Sequence, residues 1–141
     1  MKSKISKLLI AGTLVLGVGM LSMSFVKYQD DKKKPWNIPE AAKSVKNPVA
    51  SSAESIAKGK ELYTKSCKSC HGVAGKGDGP KSSELDTPCG DFTTADFQKQ
   101  SDGSIFYKAK EGDGKDMPKF ATKLPVDADI WSIVTYIRTL K

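Results

Sequence analysis

Three residues within five positions of this chain could attach and ligate a cofactor. Cys67, Cys70 and His71 follow the spacing C-x-x-C-H, which is typical of covalent c-type haem attachment. Two thiols at this spacing can reach the two vinyl groups on one porphyrin edge and form thioethers. His71 is the only histidine in the chain, so we predict that it is the first axial ligand of the iron.

A zinc site and a thioredoxin-like redox pair are the other interpretations of two cysteines at this spacing. A structural zinc site takes about four ligands, and the chain has only Cys89 left to add to the motif. A thioredoxin-like pair requires a βαβ pattern around the motif, and no such pattern is visible. Haem attachment is therefore the interpretation that the spacing favours.

A methionine in a glycine-rich loop is the candidate for the second axial ligand. Met1, Met20 and Met23 lie in the apolar N-terminal segment, which leaves Met117 for a haem domain. It ends the stretch 112–117, whose two glycines would let the loop fold over a haem face. The alternative is an ordinary core side chain, but charged neighbours and the following Pro118 make a core position a poor fit.

The chain resembles the small, single-haem, class I bacterial cytochromes c over about residues 54–141. The similarity is carried by the haem motif and by four further stretches in the expected order, at 59–63, 75–80, 102–107 and 130–140. It implies an all-α fold wrapped around one covalent haem c, ligated by His71 and Met117. It also implies that the carbonyl of a proline, here Pro80, accepts a hydrogen bond from the proximal histidine.

Helical periodicity supports this all-α expectation. It predicts a first helix over about 53–66, with a capping box made by Ser51 and Glu54. A middle helix over about 101–111 is predicted to stop at Gly112. The last helix is predicted to begin near Asp127 as its N-cap. In the first helix, Gly59 would let another helix cross closely, and the resemblance implies that this is the last helix.

The N-terminal region predicts export from the cytoplasm. A basic start is followed by 19 uncharged residues, 8–26, which fits either a cleaved signal peptide or a retained membrane anchor. Residues 27–50, with three prolines and a charge cluster, are predicted to be a linker, and 51–141 the haem domain. Docking of Trp36 and Ile38 on a partner subunit is the alternative to a solvated tether. We expect the periplasmic side of a bacterial inner membrane.

The N-terminal region and the predicted haem domain differ in net charge. The net charge of +7 divides into +6 for residues 1–50 and +1 for residues 51–141, so the basic pI does not indicate a nucleic-acid partner. Lysines flank the two ligand segments and could form a basic rim that steers acidic redox partners, or could be ordinary solvated side chains. These lysines are Lys65, Lys68, Lys115 and Lys119.

These features together predict a one-electron carrier that is not an enzyme. A filled iron coordination sphere leaves no position for a substrate, and thioether ligation raises the reduction potential. The expected partners are a quinol-oxidising complex and a terminal oxidase or reductase. A fixed cytochrome subunit of a larger respiratory complex is the first alternative, and a haem enzyme or gas sensor with an open iron site is the second. Cys89 is interpreted as a buried spectator, an intermolecular disulfide partner or a redox residue.

Overall fold

A computed structural model of the chain describes residues 36–141, which contain six α-helices and no β-strand. The all-α fold is therefore confirmed for this part of the chain. Two short 3-10 turns, at Ser82–Glu84 and Phe120–Thr122, complete the regular structure. The helices are α1 (Glu40–Lys43), α2 (Ala53–Ser66), α3 (Lys68–His71), α4 (Ala95–Gln98), α5 (Asp102–Glu111) and α6 (Asp127–Ile137).

The first predicted helix has the predicted bounds, but its cap lies one residue later than expected. Ser52 is the N-cap; its hydroxyl accepts a hydrogen bond from the Ser55 amide at 3.2 Å, and the Ser55 hydroxyl accepts one from the Ser52 amide at 2.9 Å. A capping box joins the N-cap to the third helical residue. Since α2 begins at Ala53, that third residue is Ser55, and the predicted pair Ser51 and Glu54 was wrong.

The other predicted helices are also present. Ser101 caps α5 by accepting from the Ser104 amide, and α5 stops at Gly112, whose φ of 65° suits glycine. The predicted cap of α6 was wrong, because Val126 is the N-cap and Asp127 is the first helical residue. The Asp127 carboxylate instead accepts a hydrogen bond from Lys110 of α5 at 2.8 Å.

Helices α2 and α6 pack across each other, and this crossing forms the centre of the core. A Cβ atom on Gly59 would overlap the Ser132 carbonyl oxygen and lie 2.9 Å from Cβ of Tyr136. The absence of a side chain at Gly59 thus lets the backbones approach, as the sequence indicated. Beside this point the Tyr63 and Tyr136 rings pack with centroids 5.2 Å apart. Every residue of α6 from 130 to 137 is buried.

Residues 36–49, which we call the strap, lie against the domain. The strap includes α1, which packs on α5, and Val49, which packs against the main hydrophobic core. The Asn47 side-chain amide donates to the Thr135 hydroxyl at 3.0 Å and to the Trp131 carbonyl at 3.3 Å. The structure thus differs here from a solvated tether, because Val49 gains burial and Asn47 gains partners on α6 that composition alone does not reveal.

The predicted signal or anchor segment, residues 1–26, lies outside the described residues, as does the linker up to residue 35. Among residues 36–141 no helix has the length and apolar character needed to span a bilayer.

Candidate cofactor site

The two motif cysteines and the histidine lie where α2 ends and α3 begins. The Cys67 amide donates to the Tyr63 carbonyl at 2.8 Å, and the His71 amide donates to the Cys67 carbonyl at 3.0 Å. One turn of helix thus places the three side chains together. Cys67 and Cys70 are half-buried thiols, and burial, with a smaller contribution from Cys70, raises the pKa of Cys67 to about 12.

Aromatic packing fixes the ring of His71. Its Nδ1 atom is buried, and the ring stacks on Phe92 with centroids 4.5 Å apart and planes inclined by 28°. Phe92 in turn packs on Phe97 at 4.5 Å, and the Phe92 amide donates to the Gly75 carbonyl at 2.7 Å. Phe92 is therefore a wall of the site. A second aromatic stack, between Trp131 and Phe106 at 3.9 Å, joins α6 to α5.

The loop after His71 folds back onto the motif. The amide of Gly77 donates to the His71 carbonyl at 2.9 Å, and that of Gly79 to the Cys70 carbonyl at 3.2 Å. The Lys81 amide donates to the Ser69 carbonyl at 2.8 Å. These bonds make the glycine-rich stretch a turn around the motif. Pro80 is exposed within this turn, and its hydrogen bond to His71 stays a prediction.

Tyr63 is a functional residue that sequence reasoning missed. Its ring is 1% exposed, and its hydroxyl donates to the Gly72 carbonyl at 2.7 Å. Burial is the main cause that raises the pKa of Tyr63 well above its ordinary value, so the hydroxyl stays a donor at neutral pH. The bond anchors the residue next to His71 to α2. Nothing in the sequence near Tyr63 indicates this partner.

The loop that carries Met117 is closed by its own backbone and by one carboxylate. The Asp113 amide donates to the Met117 carbonyl at 3.1 Å. The Asp113 carboxylate accepts from the amides of Met117 at 2.8 Å and of Lys115 at 2.9 Å. The sequence Asp113-Gly114 was the available signal, because aspartate often caps such turns. Met117 is half-buried, and its ligation of an iron stays a prediction.

Contacts to residues 86 and 87 hold this loop from outside. The Thr87 amide donates to the Asp116 carboxylate at 2.9 Å, and Lys115 forms an ion pair with Asp86 at 2.7 Å. The hydrogen bond and charge of Lys115 lower the pKa of Asp86, and the same contact raises the pKa of Lys115. Both side chains are exposed, so the pair is a solvated surface contact that salt would weaken.

Ion pairs neutralise two of the four lysines of the predicted basic rim. Lys115 is paired with Asp86, and Lys119 is paired with Glu111 at 2.7 Å. Lys65, by contrast, lines a cleft of about 370 Å³ between the end of α2 and the second 3-10 turn. Within residues 36–141, Lys65, Lys68 and Lys123 form no ion pair. The cleft is lined by Leu62, Lys65, Ser66, Ser69, Phe120, Lys123 and Leu124.

The donor set and its setting fit a covalently held haem. Two adjacent thiols are available for thioether bonds, and an imidazole follows with one nitrogen buried and its ring fixed on Phe92. Cys89 is half-buried, with its carbonyl against Gly77. The arrangement defines a small helical domain of the class that binds haem through a C-x-x-C-H motif.

Comparison with known sequences supports this class. A model of the family described as Cytochrome c matches residues 56–141, and the chain belongs to that family. Membership implies a covalently bound c-type haem, for which Cys67, Cys70 and His71 are the matching residues. None of the curated proteins compared with the chain matches it.

Two solved structures extend the likeness. One is the Kuenenia stuttgartiensis reducing HAO-like protein complex Kustc0457/Kustc0458, with 29% identity and a TM-score of 0.60 over 78% of this chain and 52% of the other. This chain thus spans about half the length of that one. The other is the KustC0563 c-type cytochrome, with 32% identity and a TM-score of 0.52 over 59% of this chain and 96% of the other.

Removing the Tyr63 hydroxyl should destabilise the domain. We expect Tyr63→Phe to lower the free energy of unfolding of the haem-loaded protein by about 1–2 kcal/mol, because the buried Gly72 carbonyl loses its donor. Urea titration followed by circular dichroism measures this. Tyr136→Phe is the matched control, since the Tyr136 hydroxyl makes no hydrogen bond among residues 36–141. Equal losses in both variants would contradict the role of the Tyr63 bond.

Proposed function

We propose that the protein is a one-electron carrier with a single covalent haem c, ligated by His71 and Met117. The observation that carries the proposal is the contrast between two differently built ligand segments. His71 is fixed by Phe92 and by the folded-back loop, and Met117 sits in a closed loop held by Asp113. A sulfur presented from such a loop would fill the second axial position and leave no place for a substrate.

The chain's own residues would tune and protect this site. Cys67 and Cys70 would hold one porphyrin edge, and Phe92 would keep the imidazole of His71 from rotating. When bound, the haem iron would supply the reversible one-electron change. Phe120, which is 7% exposed and follows Met117 closely, would help to exclude water from the methionine side.

The unpaired lysines near the cleft support docking with an acidic partner. Lys65 and Lys123 line the cleft beside the cysteine motif, and Lys68 lies within that motif. Charges around an exposed cofactor edge steer association and make its rate depend on salt. The lysines that already pair with acids, Lys115 and Lys119, would contribute less.

Partners and location belong to the same proposal. The basic, apolar N-terminus supports export to the periplasmic side of a bacterial inner membrane, either anchored through residues 8–26 or freed by cleavage. Quinol-oxidising complexes would then donate the electron, and a terminal oxidase or reductase would accept it. In an anchored form, only residues 27–35 would separate the anchor from the strap, a reach of at most about 30 Å.

The decisive test is the optical spectrum of the haem-loaded protein and of Met117→Ala. We expect a low-spin wild type with the weak long-wavelength sulfur-to-iron band, and loss of that band in the variant, because alanine offers no sulfur. Lys119→Ala is the matched control and should keep the band, since it removes only a surface ion pair.

A high-spin wild type that binds carbon monoxide readily would overturn this proposal. The iron would then have an open position, and the enzyme or gas-sensor interpretation would replace the carrier. The same spectra, with iron and protein assays, give the number of haems per chain.

Charge-reversal variants distinguish a lysine that forms no ion pair from a lysine that does. We expect Lys68→Glu to slow reduction of hexacyanoferrate(III) by the ferrous protein several-fold at low ionic strength, with the difference fading as salt is added, because the anion loses a local attraction. Lys99→Glu makes the same charge change at a lysine paired with Asp96 and is the matched control. Equal effects of the two variants would show that only net charge matters.

A fixed subunit of a larger complex is the second candidate. It is favoured by the likeness to a structure described as a protein complex, over 78% of this chain. We expect a tagged full-length chain, extracted from membranes of its own organism in mild detergent, to co-purify stoichiometrically with a second redox protein if this candidate is right. A freely soluble monomer that reduces external acceptors would contradict it.

A further inference from the structure

The strap, residues 36–49, bridges α5 and α6 from outside the domain. On the α5 side the contact is backbone to backbone. A Cβ atom on Gly103 would overlap the Ala42 carbonyl oxygen and lie 2.8 Å from that of Val45. Farther along α5, the ammonium of Lys108 lies 5.7 Å from the ring centroid of Trp36. The strap thus follows α5 from its first turn to its middle.

On the α6 side the strap is held by one amide side chain. Asn47 donates to the Trp131 carbonyl and the Thr135 hydroxyl, and its own carbonyl accepts from the Val49 amide at 2.9 Å. Thr135 is 4% exposed, so these bonds lie at the surface of the core. One residue therefore fixes the turn of the strap and attaches it to α6.

The helices that the strap bridges lead directly to the methionine loop. The Phe106 ring of α5 stacks on Trp131 of α6 at 3.9 Å, and Trp131 is also the residue whose carbonyl Asn47 binds. Helix α5 ends at Gly112, where the loop begins. A Cβ atom on Gly112 would overlap the Met117 carbonyl oxygen, so the end of α5 and the loop are in direct backbone contact.

We propose that the strap is a clamp that holds α5 on α6 and thereby keeps Met117 on the iron, so that release of the strap loosens Met117. The inference rests on the proposed ligation and adds a regulatory link between the N-terminal region and the iron. Asn47 is in this sense a positioning residue. Anything that pulls on or binds the chain before residue 36 would act through the strap.

The strap is suited to such a link because its attachment is limited. Helix α1 has no buried residue, and Val45 remains 46% exposed. Segments with few buried contacts open locally at low free energy while the core stays folded. The likeness to the HAO-like complex structure covers 78% of this chain, whereas residues 56–141 are less than two thirds of it. The likeness therefore extends into residues that precede Ile56.

Two variants release the strap from opposite sides. Asn47→Ala removes its bonds to α6. Gly103→Ala leaves the strap sequence intact and places a methyl group under it, while alanine is the better helix former. Lys46→Ala is the matched control, because Lys46 is exposed and makes no ion pair or side-chain hydrogen bond in the described part of the chain.

The experiment uses the haem-loaded full chain and three measurements. Hydrogen exchange by mass spectrometry reports whether residues 36–50 have opened. The sulfur-to-iron band and the rate of carbon monoxide binding to the reduced protein report Met117. We expect both variants to exchange faster over 36–50 and to bind carbon monoxide about tenfold faster, because Asn47→Ala loses two hydrogen bonds to α6 and Gly103→Ala introduces a steric overlap with the strap. Lys46→Ala should be unchanged.

Three outcomes would overturn the clamp. Fast exchange over 36–50 with unchanged carbon monoxide binding would mean that the strap does not act on Met117. Unchanged exchange in both variants would mean that Asn47 and Gly103 do not hold the strap. A wild type that already lacks the sulfur-to-iron band would refute Met117 ligation itself, and this failure of the proposed function is recognised before any variant is made.

Discussion

The close crossing of α2 and α6 at Gly59 is the constraint on which the rest of the domain depends. The Ser132 carbonyl of α6 lies where a side chain on Gly59 of α2 would be, and this allows the two helices to come into contact. From this crossing, α2 runs about one turn further to Tyr63 and about one more to Cys67, so the cysteine motif starts close to the centre of the core. The other side of the crossing supplies Trp131, onto which α5 packs. The cysteine motif and the helix that leads to the Met117 loop are thus positioned relative to one packing contact.

The segments that carry His71 and Met117 are built by different physical means. Around His71 the hydrogen bonds are short-range in sequence, as when the Gly77 amide binds the His71 carbonyl, and the ring is closed in by Phe92. Around Met117 the loop depends on carboxylates at the surface and on a distant segment, as when Asp116 accepts from Thr87. Buried, local contacts resist opening more than exposed, long-range ones. The contacts around His71 should therefore persist, whereas the Met117 loop can respond to changes elsewhere in the chain.

Local patterns in the sequence were sufficient for the three long helices, α2, α5 and α6, but not for the four-residue helices or for distant partners. The bounds of α2, the stop of α5 at Gly112 and the close approach at Gly59 all follow from periodicity, capping and side-chain size, each readable within a few residues. Caps were misplaced by one residue because Ser51 and Ser52 offer the same chemistry, and only the true helix start decides between them. Asn47 could not be placed, since its partners lie 84 and 88 residues away. The spacing of the cysteine motif, in contrast, indicates haem attachment without reference to any distant residue.

The distribution of charge follows from the same architecture. Seven ion pairs join acids and bases across residues 36–141, and most of them lie between helices or within the loops that brace the methionine segment. Residues 51–141 are nearly neutral by composition, and the pairing gives Lys115 and Lys119 a structural role. Two lysines that form no ion pair in the described part of the chain, Lys65 and Lys123, line the cleft. A nearly neutral domain can thus present a local positive field, because the neutralising acids are spent on holding loops and helices together.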